Sequence, residues 1–237
     1  MQTPWGEYPE SLLGVTANTR EVTVRPALSG EQPPHSRIWR SDAPVQWLAS
    51  DEAVLREKGI TTLVDLRTEG EVLRKPCAYA GREGFTYRHV PVTEGAVPPA
   101  SLAEVPACYM KIALQPGMER VFRFLAEAED GVLVFCTAGK DRTGVVSALL
   151  QLTGGADFPS IIRDYAVSRV YNRERLERYL AEHPEVDRKT VMASEGSMER
   201  FIALFLDRFG SAEAYLRTLG LGGAQIRRLR EKLAGLP

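Results

Sequence analysis

One stretch near the middle of the chain, residues 132–144, constrains the fold more than any other. It reads VLVFCTAGKDRTG: an apolar run that ends in Cys136, a short polar loop, and then Arg142 at the start of another apolar segment. A short apolar run bounded by a glycine-containing turn is typical of a buried strand, and apolar residues at helical spacing follow it. The pattern therefore predicts a strand, a tight loop and a helix, with the cysteine at the carboxyl end of the strand.

The loop after Cys136 carries groups suited to holding a phosphate. Gly139 has no Cβ, so it permits a tight curl in which the backbone N–H groups of residues 137–142 point inward at the N-terminus of the helix. Lys140 adds a cation, and Arg142 adds a planar fork that can bind two phosphate oxygens at once. Cations and a helix N-terminus also favour the thiolate form of a cysteine. The loop is thus a candidate site for nucleophilic attack on phosphorus.

Each residue of the loop has a candidate role. Cys136 is the candidate nucleophile, Arg142 the candidate ligand of the transferring group, and Thr143 is placed to hydrogen-bond the thiolate as it leaves. The alternative is a buried structural cysteine before an accidental turn, but the strand, the glycine, the cations and the helix together favour a site. A Walker-type loop is excluded because a cysteine stands where that motif needs its first glycine. The candidate phosphate-binding residues are Thr137, Ala138, Gly139, Lys140, Thr143 and Gly144.

Three carboxylates are candidates for the catalytic acid that protonates the leaving oxygen. Asp65 ends a predicted strand next to the nucleophile strand, Asp141 lies inside the loop, and Glu94 follows another predicted strand. Each has a structural alternative: Asp65 can pair with Arg67 or Arg40, Asp141 can stabilise the loop, and Glu94 can be merely exposed. Hydrogen-bond geometry decides between such roles, so Asp65 and Asp141 stay equal candidates ahead of Glu94.

Strand-like and helix-like segments alternate through the first two thirds of the chain. Strands are predicted near residues 38–39, 61–66, 85–92 and 132–135, with helices at 50–58, 102–114 and 117–127 between them. This alternation is typical of an α/β fold with a mainly parallel sheet flanked by helices. A cysteine at the end of a central strand then lies at the sheet edge where such folds bind ligands.

The chain ends differ from this core. Residues 1–36 are rich in Pro, Ser and Thr and are predicted to be an irregular N-terminal arm, with a single domain over 37–237. Periodicity after the loop is helical only, so the C-terminal third is predicted to be largely helical, and its region 156–237 is a candidate lid. Within residues 169–200, interleaved acids and bases favour a solvated helix face over a cationic substrate rim.

Composition says little about partners. Thirty basic and thirty-one acidic residues leave a net charge of −1, so nothing in the overall charge favours nucleic acid or an anionic membrane. No run reaches the roughly 18 apolar residues of a membrane span. The three cysteines form neither a disulfide framework nor a zinc spacing, and residues 1–10 lack the apolar core of a signal peptide. We therefore expect a cytoplasmic protein without metal or cofactor, with secretion by another route left open.

Together these segments resemble the bacterial tyrosine and dual-specificity phosphatases typified by mycobacterial protein tyrosine phosphatase B, a family related to phosphoinositide phosphatases. Two positions depart from the family pattern: Phe135 replaces the usual histidine before the nucleophile, and the N-terminal motif survives only as NTRE at residues 18–21. The resemblance is carried by CTAGKDRTG at 136–144, RIWRS at 37–41, GITTLVDLR at 59–67 with Glu71, HVPV at 89–92, and residues 215–217 and 229–230.

The resemblance implies a metal-independent phosphatase acting through a phosphocysteine intermediate, tyrosine-specific or of dual specificity. Its expected substrates are phosphotyrosine, phosphoserine or phosphothreonine in proteins, and phosphoinositides. Two alternatives stay open. Phe135 and the altered N-terminal motif would suit a catalytically weak phosphate-binding module, and a cysteine loop also occurs in rhodanese-like sulfurtransferases, which do not need the Lys-Asp-Arg-Thr-Gly ending. The oligomeric state is not predicted.

Overall fold

A five-stranded sheet organises the protein. The computed structural model describes residues 2–3, 6–24, 35–93 and 99–236. The sheet order is β3-β4-β7-β5-β6; β3 runs antiparallel to β4, and all other neighbours are parallel. A separate two-stranded ladder joins β1 to β2. The strands are β1 (Gln2–Thr3), β2 (Gly6–Glu7), β3 (Arg20–Glu21), β4 (Ile38–Asp42), β5 (Ile60–Asp65), β6 (Thr86–His89) and β7 (Gly131–Cys136).

Helices separate the strands that follow β4, and every regular element after β7 is a helix in the part of the chain described. A 3-10 turn, Leu102–Glu104, leads into the third helix. The helices are α1 (Ala49–Glu57), α2 (Glu69–Arg74), α3 (Val105–Ala113), α4 (Gly117–Glu127), α5 (Asp141–Gly154), α6 (Phe158–Ala166), α7 (Ser168–Tyr171), α8 (Arg173–Glu182), α9 (Arg188–Val191), α10 (Glu195–Phe209), α11 (Ala212–Thr218) and α12 (Gly223–Leu233).

The central strand β7 is buried along its whole length, which explains its unbroken apolar sequence. Successive side chains of a strand point to opposite faces of the sheet. Val132, Val134 and Cys136 face the larger core cluster, which includes residues of α3, α4, α5 and α10–α12. Leu133 and Phe135 face a smaller cluster under α1 and the segment around residues 77–85. The sheet is therefore covered on both faces, and the cysteine lies on the more helical side.

The predicted fold class is confirmed: a mainly parallel sheet flanked by helices precedes a helical C-terminal third. The predicted strand at 85–92 is shorter, Thr86–His89, although the amides of Val90 and Val92 still donate to the carbonyls of Asp65 and Leu66. The predicted irregular arm contains regular structure in two places: the β1–β2 ladder lies within it, and so does β3. Arg20–Glu21 form β3 and pair with Trp39 and Arg40 of β4, so this part of residues 1–36 belongs to the sheet.

Burial divides the helical C-terminal third in two. α10 and α12 bury apolar side chains such as Phe201, Phe205 and Leu229 in the main core, so they are structural supports of the sheet. α8 and α9 contain no buried residue. The predicted lid over residues 156–237 therefore stays a prediction for α8 and α9, whereas the packing of α10–α12 is that of a core.

Candidate active site

The nucleophile loop forms as the sequence predicts, between β7 and α5. Cys136 is the last residue of β7 and is 2% exposed, and α5 begins at Asp141. Gly139 has φ 63°, a conformation that side chains disfavour. A Cβ there would lie 2.5 Å from the carbonyl oxygen of Ser41, so the glycine lets the loop curl tightly against β4. The cysteine is thus held at the carboxyl end of the central strand, beside the N-terminus of a long helix.

Side chains from outside the loop hold the carbonyl groups of three successive loop residues. Asn18 Nδ2 donates to the carbonyl oxygens of Ala138 and Gly139, both at 3.0 Å. Arg40 Nη2 donates to the Gly139 oxygen at 2.8 Å. The amide of Asn172 donates to Ala138, and the guanidinium of Arg175 donates to Thr137. Together these residues form what we call the outer clamp: Asn18, Arg40, Asn172 and Arg175.

The outer clamp determines where the loop amides point. In a planar trans peptide the C=O and N–H groups point in opposite directions. Since the carbonyls of residues 137–139 are bonded on the outside, the N–H groups of residues 138–140 face the inside of the loop. These donors, with the N-terminus of α5, form a cradle for an anion.

Arg142 is fixed by a bidentate ion pair with Glu71. The two guanidinium nitrogens Nη1 and Nη2 donate to the two carboxylate oxygens, each at 2.8 Å. Glu71 also accepts from the hydroxyl of Thr137 and closes a capping box with Thr68 at the start of α2. Partial burial opposes ionisation of Glu71, but the hydrogen bonds from Arg142 and Thr137 outweigh it and hold its pKa well below the usual range. The guanidinium plane is therefore set before any ligand binds.

Asp141, the first residue of α5, lies in a polar contact at the edge of the loop. The Tyr109 hydroxyl donates to Asp141 Oδ1 at 2.6 Å, and Tyr109 in turn contacts the hydroxyl of Tyr165. Lys140 Nζ lies 3.3 Å from Asp141 Oδ2 and also donates to the carbonyl of Val191, at the end of α9. Asp141 is partly exposed, so its carboxyl group is both oriented and reachable from the loop.

Asp65 is placed differently from the other candidate acid. It is fully buried, and its two oxygens accept hydrogen bonds from Arg67 at 2.6 to 3.2 Å and from the Tyr87 hydroxyl at 2.8 Å. Its Cα partner in the sheet is Phe135, which faces the smaller core cluster and not the Cys136 side. The structure therefore brings Asp65 into a closed pair with Arg67 and does not bring it to the thiol. Glu94 lies outside the described residues.

Thr143 and Gly144 occupy the first turn of α5, directly after Arg142. The Thr143 hydroxyl is buried and has no hydrogen-bond partner among the described residues. A buried hydroxyl without a partner costs free energy, so this hydroxyl is available to an acceptor beside the loop. A Cβ on Gly144 would lie 3.0 Å from the Tyr165 ring, so this glycine admits close packing between α5 and α6.

The site uses residues beyond those predicted as catalytic or phosphate-binding. Asn172 and Arg175 carry no local chemical signal in the sequence. Glu71, Asn18 and Arg40 entered the sequence analysis through the family motifs, without an assigned role at the loop, and Arg40 also as a possible partner of Asp65. Asn18 belongs to the altered NTRE motif, which therefore contacts the loop directly. Arg175 belongs to the segment predicted as a solvated face. Its side chain is 42% exposed, as that prediction expects, and it also donates to Thr137 and to Asp42.

Among the described residues, no group of three or more His, Cys, Asp or Glu side chains is arranged to hold a metal ion. No described helix combines the length and apolar character needed to cross a bilayer.

Comparison with known proteins agrees with this geometry. Residues 12–235 match the model of the tyrosine phosphatase family. The chain is 28% identical over 209 residues to the tyrosine-protein phosphatase of Nostoc commune, covering 78% of this chain and 69% of that protein. It is 27% identical over 257 residues to the triple specificity protein phosphatase PtpB of Mycobacterium tuberculosis, covering 84% and 91%. P. aeruginosa TpbA aligns with a TM-score of 0.34 at 19% identity, over 83% of this chain and 86% of that one. The chain belongs to the tyrosine phosphatase family and is a cysteine-dependent phosphatase.

Proposed function

We propose that this phosphatase hydrolyses phosphate monoesters on tyrosine, on serine or threonine, and on phosphoinositides, with Cys136 as its nucleophile. The observation that carries the assignment of the site is the outer clamp, because it turns successive amides of residues 138–140 toward the space beside Cys136. Preorganised donors aimed at a transferring group are a major source of catalysis. Glu71 fixes the plane of the Arg142 guanidinium, which can donate hydrogen bonds to two equatorial oxygens of the transferring group.

The reaction runs in two displacements at phosphorus. In the first, the Cys136 thiolate forms the S–P bond, the bond from phosphorus to the substrate oxygen breaks, and that oxygen takes a proton. In the second, water attacks the phosphocysteine, the S–P bond breaks, and inorganic phosphate leaves while the thiolate is restored. The amides and Arg142 stabilise the charge on the equatorial oxygens in both steps. We assign Thr143 to the second step, where its buried hydroxyl hydrogen-bonds the departing sulfur.

We assign the proton transfers to Asp141. Its carboxyl group is partly exposed at the loop edge and oriented by Tyr109, so it can give a proton to the leaving oxygen and take one from the attacking water. Asp65 is buried in its pair with Arg67, on the opposite face of the sheet. An Asp141→Asn variant should therefore lose turnover of alkyl phosphates more than of p-nitrophenyl phosphate, whose leaving group needs little protonation.

Lys140 supports the wider substrate range. Its ammonium group is a second cation beside the cradle, held by Asp141 and the Val191 carbonyl, with the side chain 10% exposed. A single phosphotyrosine hardly needs this cation, whereas a neighbouring phosphate of an inositol ring would compete with these two partners for it. The triple specificity in the name of the mycobacterial relative points the same way. Lys140→Ala should impair hydrolysis of soluble phosphoinositides more than of phosphotyrosine peptides; equal losses would assign the residue to loop structure only. Undetectable phosphoinositide turnover by the unmodified protein would restrict the activity to phosphoproteins.

The decisive test is Cys136→Ser. The variant should lose turnover of p-nitrophenyl phosphate and retain binding of vanadate, while EDTA leaves the unmodified enzyme unaffected. Retained turnover in the serine variant would overturn the assignment. Tight phosphate binding without turnover by the unmodified protein would identify a binding module, and thiocyanate formation from thiosulfate would identify a sulfurtransferase.

The surroundings of the enzyme are also proposed. The cysteines Cys77, Cys108 and Cys136 are all free thiols, which suits the reducing cytoplasm. The near-neutral net charge argues for phosphorylated proteins and soluble headgroups as partners, without nucleic acid or integral membrane association. We propose one catalytic domain that includes β3 together with residues 37–237, since β3 completes the sheet edge next to the site.

A further inference from the structure

Three charged side chains form a buried cluster directly behind the nucleophile loop. Asp164 of α6 accepts a hydrogen bond from Arg20 Nε at 2.8 Å and another from Arg40 Nη1 at 2.6 Å. The Arg40 side chain is 0% exposed, Arg20 5% and Asp164 14%. We refer to Arg20, Arg40 and Asp164 as the buried triad. Of its members, only Arg40 contacts the loop, at Gly139.

The buried triad carries one more positive charge than negative charge. Its remaining contacts are neutral: Arg20 bonds to Asn18 and Ser168 and lies over the Tyr171 ring, and Tyr8 also faces Asp164. Two further carboxylates lie toward the loop, but each forms an ion pair with another side chain: Asp42 with Arg175, and Asp141 with Lys140. A buried cation without a counterion is costly, and burial lowers the pKa of Arg40 to about 10. The surplus charge therefore calls for an anion nearby.

Sheet geometry places that anion on the Cys136 side. Arg40 pairs in register with Val134, and Asp42 pairs with Cys136 one step further along the same two strands. Because faces alternate along a strand, Arg40 lies on the same face as Ile38, Val134 and Cys136. Its Nη2 atom donates to the carbonyl of Gly139 in the loop that follows Cys136. The surplus charge thus lies behind the loop, on the side where the thiolate forms.

We propose that Arg40 is a positioning residue of the phosphatase reaction, which anchors Gly139 and keeps a fixed positive charge behind the Cys136 thiolate and the bound phosphate. Asp164 sets the size of that charge by neutralising one of the two guanidinium groups. The inference rests on the proposed role of Cys136. Its test is the reactivity of the thiol, which can be measured whether or not the protein turns over substrate.

The experiment compares charge changes of opposite sign in the triad. Alkylation of Cys136 by iodoacetamide is followed by mass spectrometry from about pH 4 to about pH 9, which separates Cys136 from the other thiols. Arg40→Met should raise the pH of half-maximal rate by about one unit, a tenfold loss of thiolate at a fixed lower pH. Asp164→Asn should lower it. Loss of structure alone would move both variants in one direction, so shifts of the same sign would overturn the proposal.

Two further variants separate charge from anchoring. Arg40→Lys keeps the charge but cannot bridge Gly139 and Asp164, so its half-maximal pH should stay within about 0.3 units while kcat falls. Lys232→Met is the control. Lys232 is a buried cation that donates to the carbonyl of Ala128, near the start of β7 and away from Cys136, so its removal should change neither the half-maximal pH nor kcat.

If Arg40→Met does not fold, Arg20→Met removes the same charge and leaves the bond to Gly139 in place, with the same upward shift expected. An unshifted half-maximal pH in the folded charge-removing variant would overturn the inference. A Cys136→Ser variant that retains turnover would instead overturn the function on which the inference rests.

Discussion

Glu71→Gln separates the orientation of Arg142 from its charge. In the protein, both ends of the Arg142 guanidinium donate to Glu71, each at 2.8 Å. Glutamine has nearly the same shape, but it offers one acceptor oxygen and no charge. The variant therefore keeps the arginine and its positive charge while releasing one end of the fork from its partner.

The size of the effect follows from the bond that is lost. A hydrogen bond to a charged group contributes about 1.5–3 kcal/mol. Screening removes little of this, because the Glu71 and Arg142 side chains are only 21% and 8% exposed. If the oriented fork is needed only in the transition state, the loss appears as a fall of about 10- to 150-fold in kcat. Vanadate binding should stay equal or tighten, because a negative charge beside the cradle has been removed.

The assay measures kcat and KM for p-nitrophenyl phosphate and Kd for vanadate in the unmodified enzyme and in Glu71→Gln. Glu119→Gln is the matched control: Glu119 pairs with Arg123 at 2.7 Å on the surface of α4, where both side chains are more than a third exposed. Such an exposed pair contributes little to stability and should not affect kcat. A kcat within threefold of the unmodified enzyme would refute the claim that Glu71 orients Arg142.

The ion pair also makes stability depend on pH with a definite sign. The folded state holds the pKa of Glu71 well below the ordinary value of 4.5. A carboxylate with a depressed folded pKa contributes its full stabilisation above the unfolded pKa and loses it as the pH falls toward the folded pKa. The difference in free energy of unfolding between the unmodified protein and Glu71→Gln should therefore be full at pH 7 and shrink below about pH 4.5.

Three other changes test separate parts of the structure. Gly139→Ala should cost at least about 1 kcal/mol in free energy of unfolding and most of kcat, because φ is positive and its Cβ would meet Ser41; near-normal kcat would contradict this loop geometry. Thr143→Val should leave thermal stability unchanged and slow phosphoenzyme hydrolysis, seen as a larger burst of p-nitrophenol; a smaller burst would argue against its role. Burial lowers the pKa of Lys232 from 10.5 to about 8. Between about pH 8 and about pH 10.5 the unfolded state holds this proton and the folded state does not, so raising the pH should stabilise the unmodified protein relative to Lys232→Met by up to about 3 kcal/mol. A difference in free energy of unfolding that stays constant over this pH range in denaturant melts would exclude the shift.

The strand, loop and helix around Cys136 could be predicted because each carries a local signal. β7 is a continuous apolar run, Gly139 marks a turn that needs positive φ, and α5 begins where the apolar periodicity changes. These signals depend only on neighbours in sequence, so they can be interpreted without the fold. The parallel sheet could also be predicted, because strand-like and helix-like segments alternate along the first two thirds of the chain.

The rest of the site depends on contacts between distant segments. Asn18 and Asn172 meet at the carbonyl of Ala138 although they are far apart in the chain, and asparagine is common in loops for other reasons. The sequence could not rank Asp65 and Asp141 as candidate catalytic acids. Asp65 ends one predicted strand and Asp141 lies in the loop after its neighbour, so both are expected at the same edge of the sheet. Only side-chain direction distinguishes them: Asp65 points to the face of Phe135, and Asp141 lies in the loop.

The replacement of histidine by Phe135 is explained by how this loop is supported. The Phe135 ring is fully buried in the smaller core cluster, 5.7 Å from the guanidinium of Arg67, on the side of the sheet away from the thiol. Support comes instead through backbone carbonyls, held by Asn18 from the N-terminal segment, Arg40 from β4, and Asn172 and Arg175 from the α7–α8 part of the helical region. Since the amides can bind an anion only while those carbonyls are held outward, the active loop requires the N-terminal segment, β4 and the α7–α8 region to be folded around it.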